Sequence, residues 1–365
     1  MDPFNRRRLG GLGGFKDELG FQGVTVLLFG DKRGDHLRDD GHQEWHRHHH
    51  HAPLVAQPKL PDLRTFECQD LMSNKDIHVM QKKVLGDAVG GFNLAIVLCE
   101  EVGTRRKLIQ KQFLPRDLPR IYHAETSTLK TLRHCKYTVK MVANKDSSHR
   151  RPPEAWILFE YCNLGTLDDL LRTHVTNRRH FPESFVLRVL FSLVEAISYM
   201  HNGDVKPGHT DQSRGWLLHG DIHPGNVFLR TAPEASDSLD VLLGDFGSSH
   251  HFCTWQNEPR LGRDAAQHPY YLVRDSTWNR RSDVYQIGLV MVALCRLTTK
   301  PLDEVKRGGS ACGSRYSSKL NELVGDCLRS NPQNRIRVAE LRETLHSRRM
   351  AGSASLAGLL LKKPS

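Results

Sequence analysis

Two short stretches of this chain hold residue types that could do chemistry together. In His219-Gly220-Asp221-Ile222-His223-Pro224-Gly225-Asn226 a carboxylate is followed five positions on by a carboxamide, and Gly244-Asp245-Phe246-Gly247 adds a second carboxylate. A carboxylate can orient an attacking hydroxyl, and carboxylate and carboxamide oxygens are hard ligands of the kind magnesium takes. Phosphoryl transfer asks a protein for that combination and for little covalent chemistry. Asp221 is therefore the candidate catalytic residue, and Asn226 and Asp245 are the candidate magnesium ligands.

Such residues must be delivered by buried elements. Apolar runs at 216–218, 227–229 and 241–243 flank both stretches and read as short strands carrying polar residues at their ends. In this order and spacing the two motifs resemble the signatures H-R-D-x-x-x-x-N and D-F-G of the protein kinases. The resemblance implies ATP and magnesium as cofactors and a protein as the phosphate acceptor. It also implies an α+β, bilobal protein-kinase-like fold, with a small β-rich lobe hinged to a larger helical one.

Within that resemblance the remaining site residues take their places. Residues 77–85, 92–99 and 107–113 read as three strands of the small lobe. Kinases place a glycine-rich loop at the first turn, so that backbone amides approach phosphates closely; here the chain has Gly86-Asp87-Ala88-Val89-Gly90-Gly91-Phe92-Asn93. The preferred register puts Gly90 at the second glycine, Phe92 at the loop tip and Asn93 at the third glycine, since Asn tolerates positive φ best among non-glycine residues. Ala95 then roofs the adenine. A rival register through Gly86 and Gly91 puts Asn93 on that roof instead.

Lys111 stands where the family's strand lysine meets phosphates, although a lysine ending an apolar strand can also be a snorkelling surface residue. Asp117 and Pro119 can start a helix. On it Glu125 resembles the glutamate that pairs with that lysine, and Leu129 the apolar residue beneath. His219 and Phe246 are expected to stack with Leu129. Ile109 occupies a position that is usually small in the family, where it could crowd the base. Residues 156–159 form a strand ending in Phe159, at the back of the nucleotide pocket, and residues 160–165 resemble the hinge. Glu160, Cys162 and Phe228 complete the cofactor-binding set. His223, assigned to the catalytic group, replaces the lysine usual in protein-serine kinases and is mostly neutral near pH 7.

The catalytic loop also looks like the H-G-D-x-H-P-x-N loop of aminoglycoside and choline phosphotransferases, but the segments C-terminal to it resemble protein kinases. Tyr271-Leu272-Val273-Arg274-Asp275 stands for A-P-E, and Ser282-Asp283-Val284-Tyr285-Gln286-Ile287-Gly288-Leu289 for the buried central helix. Arg335 stands for the arginine that pairs with the A-P-E acid, here Asp275. Many kinases carry an arginine before the catalytic aspartate to bind a phosphate on the activation loop. Gly220 has no side chain for that pairing.

Composition bounds the rest. The 365 residues, 38% hydrophobic, suffice for two lobes and tails. The expected organisation is a low-complexity tail over 1–60, a small lobe over 61–161, a large lobe over 162–349 and a second tail over 350–365. The first tail's histidines at 42, 46 and 48–51 read as a solvated tract, with transition-metal binding as the rival. A net charge of +11 comes with no nucleic-acid-reading motif, so no specific nucleic acid is expected as a partner. The 8 cysteines form no C-x-x-C pair, which suits a reducing compartment. No stretch reads as a membrane span, no membrane partner is expected, and the expectation is a soluble cytoplasmic or nuclear protein. The chain reads as an ATP-dependent protein kinase acting on Ser or Thr rather than Tyr. Two alternatives stay open. One is a pseudokinase used for binding or scaffolding, suggested by the degenerate glycine loop, Ile109 and His223; the other is a small-molecule phosphotransferase.

Overall fold

Period-2 alternation along one strand explains how the first lobe is built. The computed structural model describes residues 63–87, 93–114, 121–147, 154–203, 215–233, 235–252, 268–273, 275 and 278–347. The first lobe holds β1 (Thr65–Asp70), β2 (Lys75–Asp87), β3 (Asn93–Glu101), β4 (Lys107–Phe113), β5 (Met141–Asp146) and β6 (Ala155–Glu160). These form one antiparallel sheet in the order β1-β2-β3-β4-β6-β5. The sheet curls until its outer strands meet, with the Leu71 N–H donating to Val142 O at 2.7 Å.

Successive residues of β4 therefore serve two cores. Leu108 packs inside the curl with Val79, Val97, Trp156 and Leu158, whereas Ile109 faces the main core with Ile96, Leu129 and Phe159. The next residue on the Ile109 face is Lys111. The three strands expected from apolar runs are all present, together with the Trp156-to-Phe159 strand. The structure adds β1 and β5, which the apolar runs do not mark. β1 (TFECQD) fully buries only its last residue, with Phe66 and Cys68 half-buried against the inner core, so its apolar alternation is too short to stand out as a run.

The helix expected from Asp117 and Pro119 begins, among described residues, as α1 (His123–Thr131); Asp117 and Pro119 themselves lie outside those residues. It has no side-chain N-cap and contains three threonines, so its own helix propensity is poor. Burial of Glu125, Thr126, Thr128 and Leu129 against the sheet holds it in place.

The second lobe is helical: α2 (Leu167–Thr176), α3 (Glu183–Asn202), α4 (Arg280–Arg296), α5 (Pro301–Arg307), α6 (Ser318–Cys327) and α7 (Val338–Ser347). A reciprocal capping box starts α2, in which Thr166 and Asp169 each accept the other's backbone N–H at 3.1 Å. Contrary to the sequence expectation, α3 is long and apolar enough to cross a membrane by length and composition. However, 78% of its apolar window is buried inside the protein, which makes it the lobe's core helix. Two small ribbons lie at the lobe junction. One pairs β7 (Trp216–Leu218) with β10 (His250–Phe252), the other β8 (Val227–Ala232) with β9 (Ala235–Leu243). The whole is the two-lobed α+β architecture expected from the sequence.

Candidate active site

The catalytic loop leaves β7 and is gripped from below by α4. Asp283, fully buried, accepts the N–H of His219 and the N–H of Gly220, both at 3.0 Å, and its Oδ2 also accepts from His201 Nε2 at 2.8 Å. One turn on, Gln286 Oε1 accepts the Ile222 N–H at 2.9 Å. A buried carboxylate and carboxamide thus satisfy loop amides that have no strand partner. Gly220 sits at φ +78°, and a Cβ there would meet the Trp278 ring at 3.2 Å and Ser248 O at 3.4 Å. The position that carries arginine in many kinases is accordingly small for steric as well as conformational reasons.

Above the loop, β4, α1 and the turn after β9 bring three charges together. Lys111 Nζ lies 2.8 Å from Glu125 Oε2 and 3.2 Å from Asp245 Oδ1, and Lys111 and Glu125 are almost wholly buried. Burial alone would depress the ammonium, but Asp245 and Glu125 outweigh it and hold the Lys111 pKa above its ordinary value. Burial pushes the Glu125 carboxyl up, with Lys111 pulling against it. With two carboxylates in contact, the cationic state of Lys111 is the one the site is built around. Asp245 itself adopts φ +56°, an uncommon backbone for a non-glycine residue. Phe246 is buried beside the His219 ring, with centroids 5.3 Å apart, in the same core as Leu129.

Asp221 and Asn226 are coupled through the backbone, the Asn226 amide donating to Asp221 O at 2.8 Å. Asn226 Oδ1 is buried and has no hydrogen-bond partner among the described residues. An orphaned carboxamide oxygen together with the Asp245 carboxylate is the kind of donor set a hard divalent cation takes, so these residues fit such a cation. Asp221 Oδ1 accepts the His268 N–H at 3.3 Å. His268 is invisible to a sequence reading because no motif marks it. Its ring lies 4.8 Å from that of His223.

His223 starts the short turn Pro224–Asn226, its Nδ1 accepting the Gly225 N–H at 3.1 Å. An accepting Nδ1 places the ring proton on Nε2, which lies 3.8 Å from Asp221 Oδ2. Burial, opposed by the charges of Asp245 and Asp168, pushes the imidazole down to about 4, and burial likewise lowers His201. The His223 ring is neutral when folded, whereas in the unfolded chain it protonates below about 6.5. Its contribution to stability is present above that pH and is lost as the pH falls toward 4. For His223 alone the loss at about pH 5 is on the order of 2 kcal/mol. The expected result is a urea midpoint that drops between pH 7.5 and 5, and drops less in His223→Gln. Equal drops in both proteins would contradict the assignment.

The slot behind the charges is apolar. Ile109, Val139, Phe159, Glu160, Cys162, Phe228, Gly244, Asp245 and Phe246 line it, so four of the expected cofactor-binding residues (Phe159, Glu160, Cys162 and Phe228) meet there. The Glu160 carboxylate turns away from the slot, accepting the Lys140 N–H at 2.9 Å and pairing with Arg230. Ala95 is a correction. It pairs with Gln112 and is buried inside the sheet's curl, while Ile96 lies opposite Lys111. A one-residue irregularity between Asn93 and Ala95 shifts the face, because a strand's side chains alternate with period 2. Gly90 and Phe92 lie outside the described residues.

The fold, the lysine bridge and the loop held from α4 form a charged cleft between two lobes, of the class the sequence resemblance implies. Comparison with known proteins gives the same class. A family model for the protein kinase domain matches residues 95–346. The chain is 28% identical over 275 residues to the G2-specific protein kinase nim-1 of Neurospora crassa, covering 67% of this chain and 30% of that protein. It is 29% identical over 201 residues to the human serine/threonine-protein kinase Nek2, covering 52% and 42%. It is 29% identical over 198 residues to the serine/threonine-protein kinase Nek1 of Toxoplasma gondii, covering 49% and 12%. The alignments thus span less than half the length of each of these relatives. The chain belongs to the protein kinase family. Kinase domains of this family generally use ATP, a divalent metal ion and protein substrates.

Proposed function

We propose that this chain transfers the γ-phosphoryl group of ATP to Ser or Thr hydroxyls of proteins. The observation that carries the reading is the Lys111 ammonium held at 2.8 Å from Glu125 and 3.2 Å from Asp245, which sets a fixed positive charge at the lobe junction. Such a charge neutralises phosphate oxygens in a water-poor cleft, where it is worth more than in solvent. Asp221 orients the acceptor hydroxyl and takes its proton. Asn226, through its unpartnered Oδ1, and Asp245 hold magnesium, which when bound neutralises charge developing on the phosphates. His223, neutral and turned toward Asp221, supplies position to that carboxylate and no cation. Residues 61–161 and 162–349 serve as the two lobes, with Glu160 and Cys162 at the hinge. Relatives named as serine/threonine-protein kinases support the choice of acceptor.

The test is transfer of labelled phosphate by the purified chain to Ser/Thr peptides, Tyr peptides, an aminoglycoside and choline, with magnesium. Label on the Ser/Thr peptides alone is the expected result, and label confined to Tyr peptides or small molecules overturns it. One observation favours a second reading, a binding module that transfers nothing: the apolar slot is narrow. A folded chain that labels no acceptor, whatever its magnesium–ATP affinity, is the result that reading requires.

A further inference from the structure

The apolar slot and the charged cluster beside it are mismatched. The phosphate end is assembled, with Lys111 between two carboxylates and Asn226 Oδ1 unpartnered. The base end is a cavity of about 10 Å³ between Ile109, Val139, Phe159, Cys162, Phe228 and Gly244. A cavity needs roughly 10–15 Å³ to admit one water, and a purine is many times larger. The residues present therefore fit the metal and the phosphates and do not fit the base as they stand.

Three walls could yield, and the structure separates them. Phe228 forms the floor and lies so close against Gly244 that a Cβ there would sit 2.6 Å from its ring, with Val139 at 3.0 Å. The floor has no space to sink into. Phe159 forms the back and is paired directly opposite Ile109 in the β4–β6 register, inside the sheet. Ile109 is the roof. It is 1% exposed, β-branched and restricted at χ1, and it lies two residues from Lys111 on the same strand face. It is the wall nearest the phosphate-binding lysine and the one whose truncation opens the cavity without touching a charged residue.

We infer that Ile109 sets this chain's nucleotide affinity by filling the space for the base, so that ATP is held chiefly through its polyphosphate and metal. The inference rests on the reading of the cleft as a magnesium–ATP site. It predicts poor discrimination by the wild-type chain between ATP and a polyphosphate that has no base. It also predicts that shortening Ile109 restores the missing contribution of the base.

The experiment is calorimetric titration of the full chain with magnesium–ATP and, separately, with magnesium–tripolyphosphate. Wild type is expected to bind the two within about threefold of each other, and Ile109→Ala to bind ATP at least roughly tenfold tighter than wild type with tripolyphosphate unchanged, a step of the size that pocket-filling methyl groups control. Ile109→Val, which removes one methyl group, is expected to shift ATP affinity the same way by a smaller factor, and keeps the test open if the alanine variant does not fold by circular dichroism. Wild-type preference for ATP of about a hundredfold, or folded variants with unchanged ATP affinity, overturns the inference. Peptide phosphorylation separates this from the functional reading. Tighter ATP binding in the variant with no transfer by either protein keeps the inference and removes the kinase assignment. Transfer by a wild type that already prefers ATP strongly does the reverse.

Discussion

Asp221→Asn is expected to abolish phosphate transfer while leaving magnesium-dependent nucleotide binding close to wild type, whereas Asp245→Asn is expected to weaken that binding as well. The two carboxylates occupy different places. Asp245 touches Lys111 at 3.2 Å and lies on the phosphate side, while Asp221 accepts the His268 N–H at 3.3 Å and faces the segment leading to α4. Removing a group that takes a proton in the transition state costs roughly 10²–10⁴-fold in rate. Substituting Asn at Asp221 keeps the shape and the backbone links to Asn226 and His219, so the ground state is little disturbed. At Asp245 the same change removes one of the two charges that balance a buried ammonium, so Lys111 loses part of its counter-charge as well as the metal losing a ligand. Because the groups act as a unit, the double variant is expected to lose less than the sum of the two single losses. Titration of each variant with magnesium–ATP, beside a transfer assay, checks the split. Equal loss of binding in both, with secondary structure intact, would show that the carboxylates share one role.

How much of the fold and site is legible in the sequence depends on whether a residue's role is local. Asp221, Asn226 and Asp245 sit in contiguous motifs flanked by buried strands, so their order along the chain announces them. Lys111 and Glu125 need the resemblance, since fourteen residues and a strand-to-helix turn separate a 2.8 Å contact. What stays hidden is what depends on register or on long-range packing. The glycine-loop register puts Ala95 over the base, whereas in β3 it pairs with Gln112 and faces the inner core, and no loop register reveals the strand irregularity between Asn93 and Ala95. Gln286 and His268 reach the catalytic loop from 64 and 47 residues away through backbone amides, which carry no sequence signature. The bulk of Ile109 is legible, but the closure of the slot also requires the ring of Phe228 and its fit against Gly244.

Arg335→Ala is expected to destabilise the fold strongly although it lies away from the cleft. Arg335 is 2% exposed and forks onto Asp275, with Nη1 2.9 Å from Oδ2 and Nη2 3.0 Å from Oδ1. Its other donors reach Arg329 O at 3.1 Å and Arg281 O at 2.7 Å, and its guanidinium lies 4.7 Å from the centroid of the Tyr285 ring. Asp275 also accepts from Ser282 Oγ at 2.8 Å, in the first turn of α4. The pair ties the segment after His268 to both α4 and the chain before α7. Truncating one member leaves the other charge buried and unpaired, a loss of about 3–5 kcal/mol. For a domain of this size that is a fall in Tm on the order of 10 °C. Arg335→Lys is expected to recover little, because a point charge cannot satisfy both carboxylate oxygens and two carbonyls in one plane. Replacing both partners together, with Asp275→Leu and Arg335→Met, is expected to cost less than the sum of the single changes, since no orphaned charge remains. Thermal unfolding followed by circular dichroism checks all three variants. A wild-type Tm in Arg335→Ala would show that the pair carries no stability, and strictly additive losses in the double variant would show that the two charges do not depend on each other.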